Sequence, residues 1–265
     1  MTAAAKLGIL PGPYAASDVL IAQDVSATVV TAALGYGFVK FVSTRGIDPR
    51  DSRKVIHTAS APAFMLFWPI FSQAPGAKFF AAIVPALNAL RLYLAGTGSG
   101  EAGDGESGKR KGGGESELAR AVSRSGGREE ALGGPFIYVL ILASSVLLFW
   151  RSSPVGIVAL ATMAAGDGMA DLIGRRYGKT NKWPGLDKSV AGTAAFFVAS
   201  TVASTALLLW MQYWGCLSLP YNDVDVLLRV AVISLATAIL ELVPIADDNY
   251  TVPVSAAILA SILLQ

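Results

Sequence analysis

Eight stretches of this chain are almost wholly apolar, and each runs for roughly 15 to 24 residues, close to the approximately 20 that a helix needs to cross a hydrocarbon layer about 30 Å thick. They are Val19 to Val42, Ile56 to Phe71, Phe79 to Leu94, Phe136 to Trp150, Val155 to Ala170, Val190 to Met211, Val226 to Val243 and Thr251 to Leu264. Composition agrees: 53% of residues are hydrophobic, only 15% are charged and the mean hydropathy is +0.53, against about 25% charged in soluble domains. Segments such as Phe136 to Trp150 have no polar face, which argues against a soluble bundle of buried core helices. The expected fold is all-α, a polytopic transmembrane helical bundle of seven or eight spans.

Placing the spans alternately across the bilayer puts the connections Ser43 to Val55, Ala95 to Pro135, Asp171 to Ser189 and Pro244 to Tyr250 on one side. These hold 15 of the 21 Lys and Arg residues, whereas the opposite connections hold only Lys78 and Arg151. Such an excess sets one orientation, with the basic face toward the cytosol or its organellar equivalent. The same alternation gathers every polar motif on that face. Met1 to Asp18 reads as an N-terminal tail without the parts of a secretory signal; its alanines and scarce acids match a transit-peptide remnant. Residues 19–265 form one membrane domain. It is interrupted at Gly96 to Gly114 by a run of Gly, Ser, Glu and Lys, too polar to offset its ordering entropy and expected to be a flexible loop insertion. The single cysteine, Cys216, excludes an internal disulfide.

Asp167 and Asp171 stand four residues apart where the fifth span ends, so both carboxylates fall on one helical face if the helix continues. Two acids at a membrane boundary repel unless a cation or a basic partner compensates. Magnesium on a nucleotide phosphate would do so, because it accepts one or two protein carboxylates beside phosphate oxygens; salt bridges and ordinary helix ends read the same spacing differently. Gly166, Gly168 and Gly174 allow close backbone approach, and Gly178 can end a helix. Arg175, Arg176, Lys179, Lys182 and Lys188 place five cations within fourteen residues, enough to surround a triphosphate, or else to form a basic patch for lipid head groups. Pro184 and Gly185 should fold this stretch back as a loop before Asp187 and Lys188 open the next span. Neither a Walker-type Gly-x-x-x-x-Gly-Lys-Ser/Thr nor an Asp-Phe-Gly motif is present.

Gly166-Asp-Gly-Met-Ala-Asp-Leu-Ile-Gly-Arg-Arg-Tyr-Gly-Lys179 with Asp187-Lys-Ser-Val-Ala-Gly192 resembles the signature of the phytol and farnesol kinases, within the broader group of polyprenol kinases and phosphatidate cytidylyltransferase-like membrane proteins. Arg53-Lys-Val-Ile-His57 before Phe67-Trp-Pro69 is similar to that family's early basic-histidine motif. Ser123-Arg-Ser-Gly126 with Arg128-Glu-Glu130 and Gly134-Pro135 resembles a second loop, and Asp247-Asp-Asn-Tyr-Thr-Val-Pro253 a last one. The resemblance implies phosphorylation of a free isoprenoid alcohol taken from the bilayer, most often phytol, with CTP as donor and magnesium as cofactor. It also implies a multi-pass protein of a chloroplast membrane that salvages phytol toward tocopherol, with no nucleic acid as partner. Gly127 departs from the family, which tends to carry Asp there, and the Gly96 to Gly114 run is longer than expected.

On this reading Asp167 and Asp171 hold the metal, Arg175, Lys179 and Lys188 neutralise the triphosphate, Lys54, Arg124 and Arg128 assist, and His57 or Asp187 accepts the alcohol proton. Plainer roles compete at several positions. Arg53 and Lys54 serve equally as positive-inside anchors, and His57 as a locally satisfied residue at the start of a helix. Asp247, Asp248 and Asn249 form a short polar turn suited to holding the site's cations, and Glu241 has the option of pairing with a Lys or Arg of the bundle. Two other functions remain in play: a cytidylyltransferase that forms a CDP-lipid, and a membrane transporter using the intramembrane charges Asp24, Arg91 and Glu241.

Overall fold

The computed structural model describes residues 16–46, 48–97, 132–243 and 248–265. The described chain is helical throughout: α1 (Ala16–Ser43), α2 (Pro49–Leu66), α3 (Ala77–Thr97), α4 (Gly134–Leu148), α5 (Pro154–Ala161), α6 (Asp167–Tyr177), α7 (Val190–Tyr213), α8 (Asp223–Glu241) and α9 (Asp248–Leu263). A π-turn, Thr162–Gly166, joins α5 to α6, so that Pro154–Tyr177 forms one rod of 24 residues. Local chemistry sets where the helices begin. Asp48 accepts from the Arg50 N–H at 2.8 Å ahead of α2, Ser189 from the Gly192 N–H at 3.1 Å ahead of α7, and Asn222 from the Asp225 N–H at 2.9 Å ahead of α8. Each such cap satisfies an orphan donor and contributes about 1 kcal/mol.

Among the described residues, four helices are long and apolar enough to cross a membrane: Asp18–Ser43, Ala77–Leu94, Pro154–Tyr177 and Val190–Tyr213. That is fewer than the seven or eight windows of the sequence, for two physical reasons. α4 and α9 have 15 and 16 residues and so reach only about 22 to 24 Å at the usual rise of about 1.5 Å per residue. α2 opens on Arg50, Asp51, Arg53 and Lys54, and α8 on Asp223 and Asp225 with Arg229 following. The rod Pro154–Tyr177 is the axis of the bundle, 72% buried, while α1 and α3 are peripheral at 17% and 28%. Its Ile157, Leu160 and Met163 are fully buried, as are Trp68, Phe71 and Phe196 in the same core.

The sequence-based span boundaries shift at several ends, among them those of α2, which begins at Pro49, seven residues before Ile56, and ends at Leu66. The fifth rod continues seven residues past Ala170 to Tyr177, and α3 runs through Gly96 to Thr97, so the proposed insertion begins within a helix. The rest of that insertion, together with Arg124 and Arg128, lies outside the described residues. At the end of the bundle formed by the start of α1 and the end of α2, buried charges stitch loops together. Arg151 donates to the carbonyls of Trp68, Phe71 and Ser72 at 2.6, 2.8 and 2.6 Å, and Asp24 accepts from the Ser72 N–H and hydroxyl at 2.7 and 2.8 Å. Each of these buried charges thus has several hydrogen-bond partners, as burial requires.

Candidate functional site

Asp167 is the first residue of α6, directly after the π-turn, and π-turns of this kind recur at functional sites because they re-aim the residues that follow. Its Oδ2 accepts from the Lys54 ammonium at 2.8 Å and faces His57 Nε2 at 3.4 Å, a contact without the alignment of a hydrogen bond. Lys54 and His57 come from α2, which can approach because residue 168 is glycine: a Cβ there would land on the Thr58 side chain, 2.7 Å from its Cβ. One turn on, Asp171 Oδ2 is held by Arg175 at 3.0 Å, and Arg175 and Arg176 both reach Asp51, at 3.1 and 3.0 Å. The compensation that the paired acids demand is thus present in side chains, through Lys54 and Arg175. The Arg176 hydrogen bond, with Arg175 beside it, holds the Asp51 carboxyl below its ordinary value against the opposing effect of desolvation.

The stretch after α6 folds back on itself. Gly178 ends the helix, Gly185 takes a positive φ of 73°, Trp183 N–H donates to the Lys188 carbonyl at 3.0 Å and Val190 N–H to the Asn181 carbonyl at 2.8 Å. Lys188 then bonds the Glu241 carbonyl oxygen, the Glu241 carboxylate at 2.8 Å and Asp248 at 3.0 Å, tying the start of α7 to the end of α8 and the start of α9. Burial lowers the Lys188 pKa, but Glu241 and Asp248 outweigh it and hold the ammonium above its ordinary value.

These groups line one cavity of about 790 Å³. Lys54, His57, Asp167, Asp171, Arg175, Lys179, Asp187 and Lys188 all border it, joined by Arg53, Asp248 and Asn249. Their engagement differs. Lys179 is exposed and pairs with no acid among the described residues, Asp187 is fully exposed and paired with Lys182 at 3.4 Å, and Lys188 is committed to its two acids. Of the three intramembrane charges suggested as a translocation path, Arg91 and Glu241 border the cavity, whereas Asp24 belongs to the buried loop network described above. Asp247 lies outside the described residues.

Two side chains were not legible as site residues. Asp51 is an acid inside a basic run, a weak signal that an anion was needed there to receive Arg175 and Arg176. Tyr138, 5% exposed in the apolar α4, gave no signal at all. Its hydroxyl donates to the His57 carbonyl at 2.9 Å and accepts from the Ala61 N–H at 3.1 Å, the two ends of one helical rung of α2, and its ring lies 4.2 Å from the imidazole.

A helical membrane protein with carboxylates and cations around a cavity at its helix ends holds the kinds of group that phosphoryl transfer uses. The chain is 37% identical over 263 residues to a probable phytol kinase, chloroplastic, of Zea mays, covering 95% of this chain and 80% of that protein. It is 37% identical over 268 residues to phytol kinase 1, chloroplastic, of Arabidopsis thaliana, covering 98% and 82%, and 36% identical over 252 residues to farnesol kinase, chloroplastic, of the same plant, covering 92% and 76%. The chain belongs to the phytol and farnesol kinase family: it is a phosphoryl-transferring enzyme and a multi-pass protein of a chloroplast membrane. No family model matches it, and no solved structure does.

Proposed function

We propose that this chain phosphorylates the hydroxyl of an isoprenoid alcohol, phytol in the first place, with CTP as donor and magnesium as cofactor, within seven or eight spans that share one basic face. The observation that carries this reading is the convergence of helix ends. Val39 near the end of α1, Lys54 near the start of α2, Arg91 toward the end of α3, Pro135 at the start of α4, Asp171 in α6, Lys188 before α7, Glu241 ending α8 and Asp248 opening α9 all border the same cavity. Four connections far apart in sequence supply one polar chamber, as alternating spans require.

Asp167 and Asp171 offer hard carboxylate oxygens, and the ion pairs described use Oδ2 of each, so the donor set suits magnesium beside nucleotide phosphates. Among the described residues no group of three or more His, Cys, Asp or Glu side chains is placed to hold a metal, which is compatible with an ion that takes its remaining ligands from phosphate and water. Bound there, the metal would neutralise charge on the transferring phosphoryl group. Lys179 and Lys182 bind the triphosphate from the folded-back loop, and Arg175 does so from α6. Lys54 keeps Asp167 ionised and placed. His57, its Nε2 3.4 Å from Asp167 Oδ2, accepts the alcohol proton at Nδ1; Asp187 is too exposed for that task. The alcohol oxygen bonds to the terminal phosphorus, the bond to the bridging oxygen breaks and CDP leaves. Positioning and charge neutralisation carry most of the rate. Purified protein assayed with each of four nucleoside triphosphates against three prenols should form an alcohol monophosphate, best with CTP. A protein that phosphorylates no prenol with any donor sinks the reading.

A further inference from the structure

We infer that the isoprenoid chain of the alcohol lies against the α1–α4 wall of the cavity, on Val39, Ile56, Leu92 and Val139, and that these side chains set which chains are accepted; this rests on the function proposed above. The cavity wall is divided by chemistry. Every lining aliphatic side chain of valine size or larger comes from α1, α2, α3 or α4, one from each helix. From α6 onward the lining is charged, polar or glycine, with Ala170 the sole apolar side chain among the described residues. The α1–α4 wall also carries Arg53, Lys54, His57 and Ser60 of α2, so its apolar part is the patch of these four aliphatic side chains, the surface on which a prenyl chain would rest.

Depth agrees with this division. The four aliphatic residues sit four to seven positions inside the polar ends of their helices, about 6 to 11 Å down at about 1.5 Å per residue. An alcohol of the bilayer begins its hydrocarbon chain at that level, below the head groups. Two helices of the wall, α1 and α3, lie at the periphery of the bundle, 17% and 28% buried against 72% for the central rod. The wall also carries polar groups: Asn88 and Arg91 lie on the same face of α3 as Leu92, four and one positions further from its polar end, and Tyr138 stands beside Val139. Arg91 is exposed, pairs with no acid among the described residues and borders the same cavity.

A 20-carbon prenol bearing a diazirine in its chain, irradiated with the protein in nanodiscs, should label peptides of α1 to α4 in a way that excess phytol suppresses. Competed labels confined to α7 to α9 would overturn the assignment. Val39→Trp and Val139→Trp, on two half-buried positions of different helices, should each lower kcat/KM for a 20-carbon prenol by about tenfold relative to a ten-carbon one, with KM for CTP unchanged. Equal losses with both alcohols, or a changed nucleotide KM, also count against it. Competed labelling on α1 to α4 by a protein that transfers no phosphate would refute the kinase reading and leave the prenyl subsite standing.

Discussion

The Asp167 carboxylate carries the most consequence of any side chain in the molecule, because Lys54, His57 and the π-turn all exist around it. Asp167→Asn keeps the shape and removes the charge, so turnover should fall by roughly a hundredfold or more in a CTP and phytol assay while the protein stays folded. Tyr138→Phe tests its neighbour. The hydroxyl it removes joins the Ala61 N–H to the His57 carbonyl, so the melting temperature should drop by the equivalent of about 1 to 2 kcal/mol. Loss of turnover beyond that, with KM for CTP unchanged, marks its hold on the imidazole. Asp51 brings a pH dependence. Its pKa is depressed in the folded protein, so its contribution to stability is present above the ordinary carboxylate value and lost as pH falls through the depressed one. Melting curves of wild type and Asp51→Asn should differ at neutral pH and converge in acid. Asp167, Asp171 and the cations after them were legible because charge in an apolar chain needs a reason. Tyr138 was not, since a tyrosine in an apolar helix is ordinary and its meaning lies in a contact 81 residues away.

Helices place these residues through small side chains and bent rods. Glycine at 168 lets α6 lie against α2 at Thr58, one residue past His57. Gly168→Ala should push α2 away and lengthen the Lys54 to Asp167 contact, lowering kcat with a modest loss of stability, measured by parallel kinetics and thermal unfolding; unchanged kinetics would show that α2 does not serve the site. Lys188 acts between elements. Lys188→Met leaves Glu241, 7% exposed, beside Asp248 with no cation between them, and should destabilise the bundle by roughly 1 to 3 kcal/mol. The turn at Pro184 and Gly185 was readable from residue type alone, and the structure has the positive φ at Gly185. The extension of the fifth rod to Tyr177 was harder to see, because the run from Asp171 to Arg176 reads as polar loop until Asp51 and Arg175 supply its partners. The π-turn left no sequence signature; it ends at Gly166, where a Cβ would meet Ser200 and Phe196 of α7.

Across the whole molecule, motifs scattered from residue 39 to residue 249 border one chamber, as the proposed alternation of spans requires. That alternation also makes a prediction about sides. In a Cys216→Ser background, which leaves no other cysteine, Lys182→Cys and Ser218→Cys should react with a membrane-impermeant maleimide from opposite faces of sealed, oriented vesicles. Labelling from the same face would break the alternation. Hydropathy located every rod but could not decide how many span, since α2 and α8 mix charge with apolar length and α4 and α9 are short. The central claim, phosphoryl transfer from a nucleotide to a membrane alcohol at this chamber, is tested most directly by CTP labelled at its γ-phosphorus, incubated with the purified protein and phytol in nanodiscs. The account predicts label in a lipid monophosphate, lost in Asp167→Asn; label appearing only in pyrophosphate would contradict it.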